Sequence, residues 1–446
     1  MIPWNCPYVS FGLPMILNEK SVGLHAINLR EIVLTSILLT SGLTDGVRRL
    51  SLGSMTALAA VTIVASLGSA LLLLFSSRIP KRMALSGGIY LTFLGWGIYS
   101  LLMNRTSTDI GLPNSIQNLL SYGAFIGLLI LSACETMENP FPTWYIRKGF
   151  LIASGLAAGL YGLGILIKGP GSDFFMGARA FSAFVVVMLP FCLAAWRYRV
   201  PNAGAISIAL TICVALSFSR TATVIALILY PLSRFSPHKP EGWLRLVGWI
   251  AMISLVAYLS FTYVAPIRDR FLEKGDSGSI GGVSVNTAGR DRMWETVRNS
   301  IEKSPIVGQG PGSVAIPIGS VNKTAGGHPH NDYLRLTHDF GYVGCAIWLA
   351  GFAALLTTTF RHWLWADTYD RNMAHYHLGA MLGILGVMQL MLTDNIVVYM
   401  FAMGPLGILT GASISIGTKR QRQYQQYQDY QKIQRSEMEV AGLNSR

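Results

Sequence analysis

The sequence predicts an all-α integral membrane fold, and three observations carry that reading. Hydrophobic residues make up 51% of the 446-residue chain and charged residues only 13%, against about 25% charged in a typical soluble domain. Mean hydropathy is +0.44. Apolar runs approaching the roughly 20 residues that span a bilayer recur along most of the chain, and the exception is one long polar stretch at 265–340.

Taken in order, the runs predict about twelve transmembrane helices, near 27–43, 54–76, 83–103, 116–134, 149–168, 178–196, 203–218, 220–234, 243–264, 341–360, 376–393 and 395–416. The seventh and eighth are short, which predicts broken or steeply packed helices, and the first contains Arg30 and Glu31 near its start. The chain thus divides into spans 1–9 over 1–264, a large, partly helical loop over 265–340, spans 10–12 over 341–416, and a tail over 417–446. Within that tail 421–434 is Gln- and Tyr-rich, buries too little apolar surface to fold alone, and is expected to be disordered. No basic segment and small-residue cleavage site precede the first apolar run, so no cleavable signal peptide is expected. No internal repeat is evident.

Lysines and arginines in short joints set the orientation. With the N-terminus in the cytoplasm, the inside joints hold Arg78, Lys81 and Arg82, then Arg147 and Lys148, Arg197 and Arg199, Lys239, and Arg361 and Arg371, and the tail adds Lys419, Arg420 and Arg422. The pair Arg48-Arg49, outside, fits badly. The long loop carries nine Lys/Arg and eight Asp/Glu, so it is nearly neutral, and loops beyond about 60 residues cross largely regardless of charge. The formal +13 of the chain therefore reflects inside-positive topology beside anionic lipid, and nucleic-acid binding is unsupported. Cys6, Cys134, Cys192, Cys213 and Cys345 are scattered, with none in the long loop and no CxxC spacing. Neither a disulfide framework nor a thiolate zinc site is expected.

The chemistry-bearing residues gather at the outer face. The long loop ends Gly326-Gly327-His328-Pro329-His330-Asn331-Asp332-Tyr333. Pro329 and Gly341 are start and stop signals for a loop helix over 331–340, with His330 at or near its N-terminus. The positive helix end disfavours imidazolium, leaving the neutral imidazole that a general base needs. His328 and His330 with Asp332 read alternatively as a His-x-His metal site, for which a third convincing ligand is missing. No metal or cofactor is expected.

Three arginines fall on the same side. Arg179, in Gly177-Ala178-Arg179-Ala180, starts span 6, where snorkelling to the interface is the alternative reading. Arg220, in Ser217-Phe218-Ser219-Arg220-Thr221, interrupts two apolar runs, a costly position unless it faces a polar cavity or a partner. Arg290 opens a predicted helix over 287–301, with Thr287 as N-cap. Arg290, Trp294, Val297 and Ile301 share one face, which would pack on the membrane domain and aim Arg290 inward. An exposed arginine on an amphipathic helix is the alternative there. The helix stops at Ser304-Pro305, ahead of Gly308-Gln309-Gly310-Pro311-Gly312. Asp394, in Leu392-Thr393-Asp394-Asn395 at an outer helix boundary, is a further polar candidate that helix capping explains equally well.

These residue types suit transfer from a phosphorylated lipid. Arginine forks match phosphate oxygens and stay charged. Fixed cations in a partly dry site stabilise charge developing on a diphosphate leaving group. A positioned base typically adds about 10²–10⁴-fold by activating an acceptor hydroxyl. With arginines doing the work of a divalent ion, the transfer is expected to be metal-independent.

Ser219-Arg220-Thr221 after an apolar run, Gly289-Arg290 with Trp294, Pro305-x-x-Gly308-x-Gly310, and His328-Pro329-His330-Asn331 running into Phe340-Gly341-Tyr342-Val343-Gly344 resemble the O-antigen ligase/polymerase superfamily of polytopic bacterial glycosyltransferases. The motifs cover roughly 170–345, and the architecture fits along the whole chain. The resemblance implies a GT-C-like arrangement in the bacterial cytoplasmic (inner) membrane, with the long loop periplasmic. It implies an undecaprenyl-diphosphate-linked glycan as donor. The acceptor glycan would be lipid A–core of lipopolysaccharide (ligase), a lipid-linked repeat unit of O-antigen or exopolysaccharide (polymerase), or protein. His330 would be the base, with Arg220 and Arg290 at the lipid diphosphate. Arg179 matches the family's earlier arginine, although the Pro-Asn usually found downstream is absent. A polytopic secondary transporter is the rival reading. Such carriers often show repeat halves with interrupted helices near the midplane, whereas here the polar residues gather at one face. Nothing in the sequence separates ligase from polymerase.

Overall fold

The computed structural model describes residues 28–49, 51–52, 55–76, 79–104, 111–139, 143–263, 277–280, 283–286, 290–321 and 328–443. In chain order they form α1 (Leu29–Ser41), a hairpin of β1 (Ser51–Leu52) and β2 (Met55–Thr56), α2 (Ala57–Leu73), α3 (Lys81–Met103), α4 (Leu112–Glu138), α5 (Thr143–Lys168), α6 (Ala178–Arg197), α7 (Ala203–Leu216), α8 (Arg220–Arg234) and α9 (Pro240–Tyr263). A hairpin of β3 (Ser277–Ile280) and β4 (Val283–Asn286) follows, then α10 (Arg290–Ile301), α11 (Ala315–Val321), α12 (Asp332–Tyr369), α13 (Ala374–Leu390) and α14 (Met400–Leu443). Each of the twelve apolar runs lies on a helix. Among the described residues six helices, α3 to α6, α12 and α14, are long and apolar enough to cross a bilayer by length and composition. The chain is a helical, multi-pass membrane protein. Cys6, Arg78, the expected cap Thr287, Gly289 and Gly326-Gly327 lie outside the described residues.

Close backbone approach holds the helices together. Lipid tails are as apolar as leucine, so association in a membrane depends on packing that small residues permit. A Cβ on Gly411 would lie 2.1 Å from the Leu129 carbonyl oxygen, and one on Gly407 would lie 2.9 Å from that of Phe125, which seats α14 on α4. Gly379 and Gly386 likewise bring α13 onto α6, each with a would-be Cβ 3.0 Å from Phe191 or Val186. The apolar part of α14 is wholly buried. Rings of Tyr90, Phe93, Tyr122, Phe340 and Trp348 interlock α3, α4 and α12 edge to face.

The polar joints sort to two ends, as the charge pattern groups them. At one end Arg30 pairs with Glu138 at 2.5 Å, Lys419 donates to the Asn139 carbonyl, and Arg197 pairs with Asp367. At the opposite end Asp45 accepts from the Gly177 N–H at 2.7 Å, and Gly171 N–H donates to the Leu216 carbonyl at 2.8 Å.

The glycine motifs meet at one crossing. Gly341, at φ +71°, splits α12 into α12a (332–340) and α12b (342–369). The loop after α10 crosses that break in direct backbone contact. Gln309 N–H donates to the His338 carbonyl at 2.9 Å, Gly310 N–H to that of Asp339 at 3.0 Å, and Tyr342 N–H to that of Pro305 at 2.7 Å. Buried Asp339 also accepts from Gly312 and Val314 N–H at 2.8 and 3.0 Å.

Three elements differ from the sequence reading. The tail, expected to be disordered, continues α14 as helix to Leu443. It extends a helix already nucleated, is rich in good helix formers, and has no glycine or proline between Thr418 and Ala441. Tyr424 rests against Trp365 and Tyr369, and Arg420 pairs with Asp370 at 3.4 Å. The last span starts later than 395: residues 391–399 form an irregular stretch with a short 3-10 turn at Ile396–Val398. The β3–β4 hairpin in the long loop was not foreseen, although Gly281-Gly282 between alternating serines and valines is a hairpin signal.

Candidate active site

The irregular 391–399 stretch, the N-terminus of α12a and the start of α10 converge at one end of the helical domain. His330 lies just outside α12a at φ +52°, and Asn331 caps that helix by accepting from Leu334 N–H. Asn395 grips His330 with its whole amide. Its Oδ1 accepts the His330 backbone N–H at 3.0 Å, and its Nδ2 lies 2.7 Å from the ring Nδ1. The backbone bond fixes which way the amide faces, so Nδ2 donates to Nδ1 in this arrangement.

Arg179, on the first turn of α6, reaches the other ring nitrogen, with its guanidinium 3.3 Å from Nε2. The same guanidinium pairs with Asp394 at 3.3 Å, and Asp394 lies 3.8 Å from Nδ1. Both ring nitrogens therefore face donors. Burial lowers the His330 pKa below its ordinary value, and the Arg179 and Arg290 charges lower it further against the pull of Asp394. The imidazole is neutral near pH 7, as the sequence predicts. Desolvation and like charge cause this, however, since the helix begins two residues later. Burial opposes ionisation of Asp394, but His330 and Arg179 outweigh it and hold the carboxyl below its usual range.

Arg290 opens α10 and donates to the Thr393 carbonyl at 3.1 Å. Burial, then Arg179 and Arg220 as like charges, depress its pKa, with Asp394 opposing. Arg179 and Arg220 thus both stand within electrostatic reach of Arg290. Arg220 begins α8 directly after Ser219, where Phe218 takes φ +60° to turn the chain. Ser217 from that turn bonds Ser182 of α6 at 2.8 Å, one turn from Arg179. α10 docks through Met293, Val297 and Ile301 onto Val314 and Ile318, and the Trp294 indole donates to the Pro329 carbonyl at 2.8 Å.

The secondary candidates fare differently. Asp394 joins the cluster and caps no helix; its Oδ1 accepts from Asn395 N–H at 2.9 Å. Asp332 is fully buried, takes the Val397 N–H at 3.0 Å, lies 3.8 Å from buried Arg335, and tethers the 391–399 stretch to α12a. His328 is engaged at Nδ1 by Arg335, so the two histidines hold different partners. Sequence reading passed over Asn395 and Arg335. Asn395 stands beside a candidate that was singled out, but its partner is 65 residues away. Arg335 lay inside a helix read mainly for its ends.

The arrangement offers a neutral imidazole gripped at one nitrogen, a carboxylate beside it, Arg179 on its other nitrogen, and Arg290 nearby with Arg220 within electrostatic reach of it. No curated protein matches the chain. Residues 205–349 match the family model described as O-antigen ligase, a stretch that contains Arg220, Arg290 and His330. That stretch is therefore an O-antigen ligase domain of the O-antigen ligase/polymerase superfamily.

Proposed function

We propose that this protein is a membrane glycosyltransferase. It moves a glycan from an undecaprenyl-diphosphate donor to an acceptor hydroxyl at the periplasmic face of the bacterial inner membrane. The observation that carries this reading is one half-buried, neutral histidine beside Arg179 and Arg290, with Arg220 within electrostatic reach of Arg290. In this reading the N-terminus is cytoplasmic, all twelve apolar helices are membrane spans, and the 265–340 stretch is periplasmic.

The diphosphate lies against Arg179, Arg220 and Arg290. Phosphate oxygens outcompete a 3.3 Å contact to a neutral ring, so donor binding draws Arg179 off Nε2 of His330. With Nε2 uncovered, the ring turns Nδ1 from the Asn395 amide toward Asp394, 3.8 Å away, the ring proton moves to Nδ1, and Nε2 becomes the base. Nε2 takes the acceptor's hydroxyl proton as that oxygen bonds to the anomeric carbon. The bond from the anomeric carbon to the diphosphate oxygen breaks, and its electron pair leaves with the diphosphate. The arginines neutralise that charge, so no divalent ion takes part. His330 ends as imidazolium beside Asp394 and Asn395.

The glycan profile of a deletion strain tests the assignment. Loss of long chains from lipid A with lipid-linked polymer retained indicates ligation, whereas single-repeat capping indicates polymerisation. An unchanged profile of every surface glycan contradicts both. A reporter fused near residue 325 reads periplasmic, and a cytoplasmic signal there contradicts the mechanism.

A further inference from the structure

A groove of about 370 Å³ lies between α10 and α12, beyond the arginine cluster. That size is within the range of ordinary small-ligand sites, about 300–1,000 Å³. Among the described residues Arg298 and Glu302 border it from the end of α10, Pro305 from the crossing loop, and Tyr333, Thr337 and Tyr342 from α12. The two helices run side by side in the same direction. Arg290 meets Thr393, Trp294 meets Pro329, and the Ile301 cluster meets Leu334. α10 therefore reaches from the arginine cluster at its first residue to the groove at its last turn. Arg290 and Arg298 are two turns apart, roughly 12 Å along the axis. α12a is likewise two-sided. Asp332, Arg335 and Asp339 are buried, while Tyr333, Leu334 and Thr337 line the groove, starting one turn from His330.

Among the described residues, the groove's charged groups and one tyrosine hydroxyl are unused. Among the described residues no hydrogen bond or ion pair engages the side chains of Arg298, Glu302 or Tyr342, although Arg298 and Glu302 stand at i, i+4 spacing. Tyr333 spends its hydroxyl on the Met388 carbonyl at 2.8 Å and leaves its ring to the groove. Tyr342 is 63% exposed, as is Ile306 next to it in the crossing loop, where α12b enters its apolar run. Tyrosine at that level suits a membrane–water boundary. Free charged groups of both signs beside aromatic rings fit a saccharide, whose hydroxyls bond to guanidinium and carboxylate while its C–H faces stack on the rings. The exposed apolar edge below fits a lipid anchor.

We propose that this groove is the acceptor subsite. It holds the end sugars of a lipid-anchored acceptor, with the anchor beside Tyr342 and Ile306 and the reacting hydroxyl directed along α12a to His330. The donor diphosphate enters from the opposite end of α10. This inference rests on the glycosyl-transfer reading for its role but not for its binding.

Binding and transfer separate the two. Purified full-length protein in nanodiscs is titrated with two delipidated probes, core oligosaccharide from rough lipopolysaccharide and the repeat-unit oligosaccharide. The probe that binds identifies the acceptor source. Tyr342→Ala and Arg298→Ala are expected to weaken its binding tenfold or more, while Tyr342→Phe and Arg220→Ala leave it within about twofold. In transfer assays the first two variants raise the acceptor KM with the donor KM unchanged. Undiminished binding in both Tyr342→Ala and Arg298→Ala, or no binding of either probe to the wild type, overturns the groove assignment. Binding that depends on these residues in a protein that transfers nothing leaves the groove standing and removes the transferase reading.

Discussion

Asn395 holds His330 at two points 65 residues away in sequence, the backbone N–H at 3.0 Å and the ring Nδ1 at 2.7 Å. The contact decides both where the imidazole stands and which of its nitrogens remains for the substrate. Asn395→Ala removes both bonds and lets the ring turn. Displacement of about 1 Å in a catalytic group can cost around 10²-fold. A fall in kcat of tenfold or more is expected with the donor KM little changed, read by transfer from a polyprenyl-diphosphate glycan. A wild-type kcat would show that the grip is incidental.

The pH dependence follows from burial. The folded pKa of His330 lies below 6.5 because burial, Arg179 and Arg290 together outweigh Asp394. A base with a depressed pKa stays unprotonated further into acid. Transfer is therefore expected to hold through pH 6.5 and to fall only below it. Asn395→Asp places a carboxylate against Nδ1, stabilises imidazolium, and moves that acidic limb to higher pH. The pH profile of kcat/KM checks both, and an unmoved limb in the aspartate variant would remove His330 as the titrating group.

The cations act on the leaving group. Arg220→Ala and Arg290→Ala are expected to lower transfer by orders of magnitude while the protein still inserts. Arg220→Lys recovers only part, since an ammonium keeps the charge and loses the fork. A chelator changes nothing. Inactivation by chelator that a divalent ion reverses would point to a metal in place of the arginine clamp.

The glycine crossing is a stability element. A Cβ on Gly341 would stand 2.0 Å from the Ile306 carbonyl oxygen at φ +71°. The left-handed backbone alone costs about 1–2 kcal/mol for an L side chain, and the clash adds to it. Gly341→Ala is expected to lower the thermal unfolding midpoint by several degrees. Gly95→Ala, where nothing lies within 4 Å, leaves it unchanged. Equal midpoints would mean the crossing relaxes freely.

How much of this was legible in the sequence varied with the range of the interaction. Apolar runs placed the helices, six of them long and apolar enough to cross a bilayer, because burial in lipid is a property of a local window. The stripe through Val297 and Ile301 foretold a buried face for α10, but that face packs on Val314 and Ile318 of the same loop and not on the membrane domain, and Met293, one residue off the stripe, is buried with them. Arg220 was found from its cost in apolar surroundings, Arg179 from its place at a span start, Arg290 from the stripe it shares, and His330 from the polar loop it ends. What joins them was not readable. Asn395 depends on a turn that replaces the expected start of the last span, and Arg179 reaches His330 across 151 positions. Composition misjudged the tail, because low apolar content argues against a domain but not against the extension of a helix already formed.

Transfer by the purified protein with His330→Ala and Arg290→Ala measured side by side tests the central claim most directly. The account predicts that His330→Ala abolishes transfer while the lipid-diphosphate donor still binds with near wild-type affinity. Arg290→Ala weakens donor binding and transfer together. A His330→Ala protein that transfers glycan at the wild-type rate would contradict it.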